Sequence, residues 1–371
     1  MEKDNNEKKY STVETFAFTK YDAPKVEFNT SRKYLLNGDN NWYFQYILDC
    51  YEGSTTNQAI INAFSRYIIG DGLKDKNGKN IDQYISDDDM DLIVQEYKTF
   101  GEVGILIIWN LAKTKPLKME YVSMLNLGLN ICKETMVTTG YWYSFDWTNP
   151  GKYKPIFFPK YDGRYKDADS EILVIRRPSR KPFFADCDYT SALPAANSEL
   201  EMANFRTNHI EHSFQAGTLV NMNSGVPESE EEREVYKRKV IDKLTGTSTK
   251  DKVVVSFNEN AAQALTIENL AAPVLGDSYS IFKDTCKAEI IEGHSVPSIL
   301  FSSDRSGGGL GNNAEEIKAQ TQAMYQKNIY PYRKQIINGL NKVFSKIDPT
   351  IDVYFQDFDQ FNELTIKEIQ E

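Results

Sequence analysis

The sequence predicts an α+β fold, on three observations. Apolar residues recur at helical spacing between Ser54 and Gly70 and again from Ile336 to Phe344. A continuous apolar run, VGILIIW at residues 103–109, has the length and β-branched content of a buried strand. Residues 130 to 178 hold Thr, Tyr, Trp and Val runs broken by turn signals, the pattern of a strand meander. With 40% hydrophobic and 12% aromatic residues, the 371-residue chain can bury a substantial core, in one large or two smaller domains.

Residues 1 to about 30 are polar, mixed in charge and without a sustained period, and read as a flexible arm or an edge segment. Ser54 or Thr55 then caps a helix that presents Ile60, Ile61, Phe64, Tyr67 and Ile68, with Gly70 and Gly72 as its stop. A second helix is expected around Met90 to Phe100, behind the acidic run Asp87 to Asp89, which suits the positive end of a helix dipole. VGILIIW follows as a strand, with MEYVSML near residue 120 as its neighbour. The turns Asn149-Pro150-Gly151 and Asp162-Gly163 divide the meander.

The second half is organised differently. Residues 194 to 216 read as one helix, roughly 30 Å long at 1.5 Å per residue, with Pro194 near its start and Gly217 at its stop. A compact insert comes next: a strand TLVNM, a turn at Ser224-Gly225, a charged helix Glu228 to Leu244, a Thr-Gly-Thr turn and a strand KVVVSF. The charged helix carries Glu228, Glu230, Glu231 and Glu232 first and Lys237, Arg238, Lys239 and Lys243 later, which matches the macrodipole and fits a solvated surface helix. A second long helix, Asp277 to Glu292, leads into a glycine- and serine-rich stretch. Beyond it, a helix from Asn313 to Asn328, with Glu315 and Glu316 in its first turn, should stop near Tyr330-Pro331. A further helix presents Ile336, Ile337, Leu340, Val343 and Phe344 on one face, and the alternating IDVYFQDF closes the pattern. From Asp348 onward seven carboxylate side chains face Lys367 alone, a source of solubility and negative potential.

Composition narrows the function classes. A formal net charge of −10 argues against a protein that grips phosphates by counterion release. Cys50, Cys132, Cys187 and Cys286 lie far apart with no CxxC pair, so neither a zinc site nor a disulfide framework is suggested, and a reducing interior is the natural home. The start has no apolar h-region and VGILIIW is too short to span a bilayer, so the expectation is a soluble protein with no membrane contact.

No constellation points to catalysis. The stretch SGGGLG, Ser306 to Gly311, invites a phosphate-loop reading, but no Lys-Ser or Lys-Thr follows it and the spacing is not GxGxxG. His209 and His212 sit three apart with Glu211 between them, yet HEXXH is absent and His294 lies far off in a GHS turn. Asp357, Asp359 and Glu363 alternate like part of a calcium loop that lacks its glycine, and no serine sits in GxSxG. The expectation is no enzyme, no metal and no cofactor; the alternative is a nucleotide-binding enzyme that uses the loop 306–311.

The order of segments carries a resemblance. FADCDYTSALPAANSELEMANFRTNHIEHSFQAGTLV, then EIIEGHSVPSILFSSDRSGGGLGNNAEEIKAQTQAMYQKNIYPYRKQIINGL, resembles the portal proteins of tailed bacteriophages, and AIINAFSRYIIGDGL with YKTFGEVGILII resembles their wing domain. The similarity spans about residues 30 to 360. It implies a portal fold: an α/β wing over 1–195, a stem helix at 196–216, a small α/β clip at 217–275, a second stem helix at 276–296, a tunnel loop at 297–313, and a wing or crown return over 314–371, the crown reduced or absent.

The function the resemblance implies is a homo-oligomeric ring at one capsid vertex, twelve-fold as in the family, and the conduit for genome packaging and ejection. Its implied partners are the major capsid protein, the terminase large subunit, the head–tail connector and double-stranded DNA passing through the channel. Its implied location is the virion, after assembly in the host bacterial cytoplasm. Asp304, Arg305, Ser306, Gly307, Gly308, Gly309 and Gly311 would form the DNA-channel loop, and Glu230, Glu231, Glu232, Lys237 and Arg238 the partner-binding surface of the clip.

Overall fold

A computed structural model describes residues 33–163, 168–211, 215–222, 235, 253–257, 266–271, 276–297 and 313–358. It opens with two helices in series, α1 (Trp42–Gly53) and α2 (Thr55–Ile69). Ser54 sits between them in an extended conformation and accepts from the Asn57 amide, so it caps α2 as its residue type predicts. Gly70, at φ 62°, ends α2 beside the Gln356 carbonyl, where a side chain would have no room. α1 is a helix the sequence pattern did not announce. It buries Phe44, Ile47 and Cys50, yet Trp42 is 46% exposed, and its mixed faces hid it.

β1 (Leu73–Asp75) follows, and then α3 (Asp87–Phe100), which begins three residues before the expected Met90 because Ser86 caps it by accepting from the Asp89 amide. α3 ends at Gly101, φ 80°, where a Cβ would come within 2.6 Å of the Asp186 carbonyl oxygen. β2 (Glu102–Trp109) then runs through the middle of a three-stranded sheet, between β3 (Pro116–Val122) and β7 (Ser170–Arg176). Gly104 pairs with Val122 on one side and with Val174 on the other. Strands flanked on both sides and buried explain why VGILIIW is apolar throughout.

β4 (Leu127–Ile131), β5 (Thr138–Tyr143) and β6 (Ile156–Pro159) form a second antiparallel sheet. The expected meander is therefore three strands long, and its fourth run, β7, leaves to pair with β2 instead. A bridge between Lys160 and Ile172 links the two sheets. Between them lies an open cavity of about 360 Å³ lined by Leu106, Tyr121, Val122, Tyr143, Phe158 and Ile172, with Ser123 and Asn126 at its edge.

α4 (Leu193–Glu211) and α5 (Gly276–Gly293) are the two long helices of the second half. Between them stand β8 (Gln215–Met222), β9 (Val253–Phe257) and β10 (Thr266–Ala271), in the order β10-β8-β9 with β8 parallel to β9. Gly217 does not stop a helix: the chain is already a strand from Gln215, and Gly217 pairs with Leu270. β10 was not anticipated, since TIENLA alternates too weakly to stand out.

α6 (Asn313–Met324), a π turn over Tyr325–Ile329 and α7 (Tyr330–Ile347) run on without a break. The expected stop at Pro331 does not occur. Proline lacks the N–H that would close an α turn, and it stands at the first positions of α7 behind a π turn that shifts the bonding register. α7 buries Ile336, Leu340, Val343 and Phe344, as their spacing predicts, and Gly339 lets it approach Ile175 of β7. β11 (Val353–Phe355) returns to pair with β1. Arg333 of α7 donates to the Ile68 and Tyr67 carbonyls at 2.7 and 2.9 Å and pairs with Asp357, tying the end of α2 to the closing segment.

Candidate functional site: the roots of the two long helices

The residues that the sequence assigned to function fall outside the described part of the structure. Asp304, Arg305, Ser306, Gly307, Gly308, Gly309 and Gly311 are undescribed, as are Glu230, Glu231, Glu232, Lys237 and Arg238; within the charged run only Val235 is described, helical and 52% exposed. His209, His212, Asp359 and Glu363 lie outside the described side chains too. What the structure does describe is the frame around these segments: both long helices, the three strands between them, and the residues up to 297 and from 313 onward.

The frame is rooted in the body at one place. α4 leaves it just after Asp188 and Tyr189, and α5 returns at Gly293, next to His294. The two roots touch, because a Cβ on Gly293 would meet the Ala192 Cβ at 2.5 Å. About two turns further along, Glu199 of α4 accepts from the hydroxyls of Ser54 and Thr56, the second at 2.8 Å, and from the Thr56 amide at 3.2 Å. A buried carboxylate thereby meets the N-terminus of α2, where backbone donors and the helix dipole favour negative charge. Gly53 adds to the fit, since any side chain there would run into Leu200.

Below this contact lies a buried polar cluster. Lys98 of α3 is fully buried, and its ammonium donates to both carboxylate oxygens of Asp188 at 2.8 Å. Rings surround it: the ammonium stands 4.5 Å from the centroid of Phe64, 5.1 Å from Tyr332 and 5.6 Å from Tyr189. Burial pushes the Asp188 carboxyl up, and the charge and hydrogen bonds of Lys98 more than reverse this, so that it titrates below its ordinary value.

His294 is stacked on Tyr189 at 4.3 Å between centroids. Its Nε2 lies 2.7 Å from the Asn57 side-chain oxygen, and the Asn57 amide nitrogen donates to the Cys50 carbonyl at 3.1 Å. That second bond fixes which way the amide points, so Nε2 carries the proton. Burial, reinforced by Lys98, lowers the His294 pKa to about 3, which leaves the ring neutral at physiological pH.

The exit from α5 is also held. Val296 is buried, Ser295 adopts φ 55°, and the Asn328 side chain in the π turn donates to the Ser295 carbonyl at 3.1 Å. The π turn between α6 and α7 therefore touches the root of α5.

Sequence reading missed Lys98, Asp188 and Glu199. A signal existed for the first: Lys98 falls four residues after Val94 in the stripe Met90, Ile93, Val94, Tyr97, a position a solvated lysine would avoid. Nucleophilic chemistry is not favoured here, since burial pushes the thiols of Cys50 and Cys187 up to about 12. Among the described residues no group of three or more His, Cys, Asp or Glu is gathered as a metal would need, and no helix is long and apolar enough to cross a membrane.

No protein-family model matches the chain, and no curated protein matches it by sequence. Solved structures do match. A chain in the virion of a native gene transfer agent (GTA) particle is 13% identical, with 88% of this chain and 87% of that one covered at a TM-score of 0.54. A chain from the neck of the native GTA particle, computed with C12 symmetry, is 11% identical over 88% and 87% at 0.55. The chain shares the fold of these particle subunits. An HK97 family phage portal protein from Corynebacterium diphtheriae is similar at 8% identity over 83% and 94%, with a TM-score of 0.43. The portal resemblance read in the sequence is in keeping with the fold shared with the particle and neck chains.

Proposed function

We propose that the chain is a portal subunit, one copy of a ring at a capsid vertex through which double-stranded DNA enters and leaves a virion. The observation that carries this reading is the fold match to the neck of a particle computed with C12 symmetry, which extends over 88% of the chain. Residues 1–195 with 314–371 form the wing and any crown, 196–216 and 276–296 the stem, 217–275 the clip and 297–313 the tunnel loop. A subunit with a net charge of −10 suits a conduit, because each phosphate a protein neutralises deepens binding, and DNA must slide. The ring closes through head-to-tail contacts between identical copies, a closure that the C12 symmetry of the matched neck supports.

In this reading the clip meets the terminase large subunit and later the head–tail connector, and the wing meets the major capsid protein. Glu230, Glu231, Glu232, Lys237 and Arg238 are the clip contacts, while the loop around Asp304 to Gly311 faces the DNA. The protein does no catalysis and resides in the virion after assembly in the host cytoplasm.

Negative-stain imaging and mass measurement of the purified chain test the reading. Rings with a central hole, several hundred kilodaltons in mass, are expected; a monomer at every concentration, or saturable ATP binding, would overturn it. Reversing charge at Glu230, Glu231 and Glu232 should weaken terminase or connector binding while rings persist. Replacing Gly307, Gly308 and Gly309 by alanine should leave rings intact and reduce DNA packaging or retention.

A further inference from the structure

We infer that the buried cluster of Lys98, Asp188, Tyr189, Asn57 and His294 is a register lock that couples the roots of α4 and α5 to each other and to the body, so that the two long helices shift together. The inference concerns the chain's own helices and stands apart from the ring.

The geometry ties each root to a body helix, the approach to α4 to α3 and the exit from α5 to α2. Asp188 fixes the approach to α4 through two hydrogen bonds to Lys98 of α3, and Tyr189 adds a third by donating its hydroxyl to the Thr99 carbonyl at 2.9 Å. His294 fixes the exit from α5 through Asn57 of α2. The two halves then join face to face, because the His294 ring stacks on Tyr189, whose ring centroid lies 5.6 Å from the Lys98 ammonium. A movement of either root must break this stack or carry the other root with it.

A charge is an odd choice for holding a core together. Well-packed apolar residues in place of a buried ion pair are often as stable or more so, and what the pair supplies instead is a defined register. Apolar surfaces slide over each other at little cost, whereas a two-pronged carboxylate–ammonium contact loses both hydrogen bonds on a shift of an ångström or two. The cluster also sits where such discrimination has an effect. The helices it roots carry the inserted strands β8, β9 and β10 between them.

Hydrogen exchange on the full chain tests the lock. His294→Phe keeps the ring and the ion pair but removes the bond to Asn57. It should speed exchange about tenfold or more at residues 286–296 and, through the stack, also at 189–200, while β2 and α7 stay at wild-type protection. The paired change Lys98→Met with Asp188→Leu should leave a folded body and again loosen both roots. Loosening of only the root that was altered would overturn the coupling. Uniform loss of protection throughout the chain in both variants would show an ordinary stabilising contact and overturn it as well. Wild-type exchange at both roots would do the same.

Discussion

Glu96 and Glu102 are buried on either side of the turn that joins α3 to β2, and the charge of Glu96 adds to the burial that raises the Glu102 pKa. Glu96 lies against the Tyr121 hydroxyl and the Met124 amide, and Glu102 against the Ala185 amide with Arg176 at 3.7 Å. Burial is the main cause of both upward shifts, to about 7 for Glu96 and about 8 for Glu102.

The direction of the pH effect follows. A carboxyl whose folded-state value is raised contributes stability below its ordinary value near 4.5, and that contribution is lost as pH rises through the folded value. Unfolding free energy should therefore fall between pH 5 and pH 8.5, by on the order of a few kcal/mol in total, since each tenfold change in proton affinity is worth about 1.4 kcal/mol. Urea midpoints at pH 5.5, 7 and 8.5 measure it. Glu96→Gln with Glu102→Gln keeps the acceptors for the Met124 and Ala185 amides and should flatten the profile; an unchanged slope would place the titration elsewhere.

Exposure should separate two lysine–carboxylate pairs of similar length. Lys76 and Asp352 meet at 2.7 Å with more than half of each side chain in water, and such a pair is worth about 0–1 kcal/mol. Lys98 and Asp188 meet at 2.8 Å with the lysine fully buried and the aspartate side chain 21% exposed, so Lys98→Met leaves a mostly covered carboxylate without its partner, at a cost of up to roughly 3–5 kcal/mol. Denaturant unfolding of Lys76→Met and Lys98→Met at matched pH compares them. Equal losses would contradict the account.

How much of this was legible in the sequence depended on whether a residue's surroundings are near it in the chain. Ser54, Ser86, Gly70 and the stripe of α7 obey local rules, and their helices begin and end within a few residues of expectation. Pro331 misled, because a proline normally ends a helix and only the π turn before it lets the chain run on. β7 was assigned to the meander by proximity, whereas its partner β2 lies some 65 residues earlier and was chosen by apolar burial. The cluster at the helix roots joins residues 57, 98, 188 and 294, and no period or spacing connects those numbers.

Arg333 offers a test of the closing segment. Its guanidinium satisfies two carbonyls at the end of α2 that no helix bond can reach, donates to the Tyr325 hydroxyl at 2.8 Å and pairs with Asp357. Arg333→Met fills similar space without the donors and should cost roughly 2–4 kcal/mol, as expected when buried acceptors lose a charged partner. Arg333→Lys should recover little, because one ammonium cannot span the same forked set of acceptors. Thermal unfolding of both variants measures this, and a lysine variant as stable as the wild type would mean that charge alone suffices.

The contact between Gly293 and Ala192 makes the last test. The two helix roots cross there at a distance set by the missing side chain: a Cβ at residue 293 would stand 2.5 Å from the Ala192 Cβ, well inside contact distance, and the neighbour is the first atom of its own side chain, with no flexible end to swing away. Helix propensity works in the opposite direction, since alanine is favoured over glycine inside a helix by about 1 kcal/mol. The clash should win, because one root must move by about an ångström to relieve it and overpacking a tight contact costs typically about 1–3 kcal/mol. Gly293→Ala is therefore expected to lower stability by about 1 kcal/mol or more. Adding Ala192→Gly removes the opposing Cβ and should return the loss to the small penalty that glycine carries near a helix start. Denaturant unfolding of the single and double variants reads both steps. A single variant at least as stable as the wild type would mean that the roots already stand farther apart than the geometry indicates.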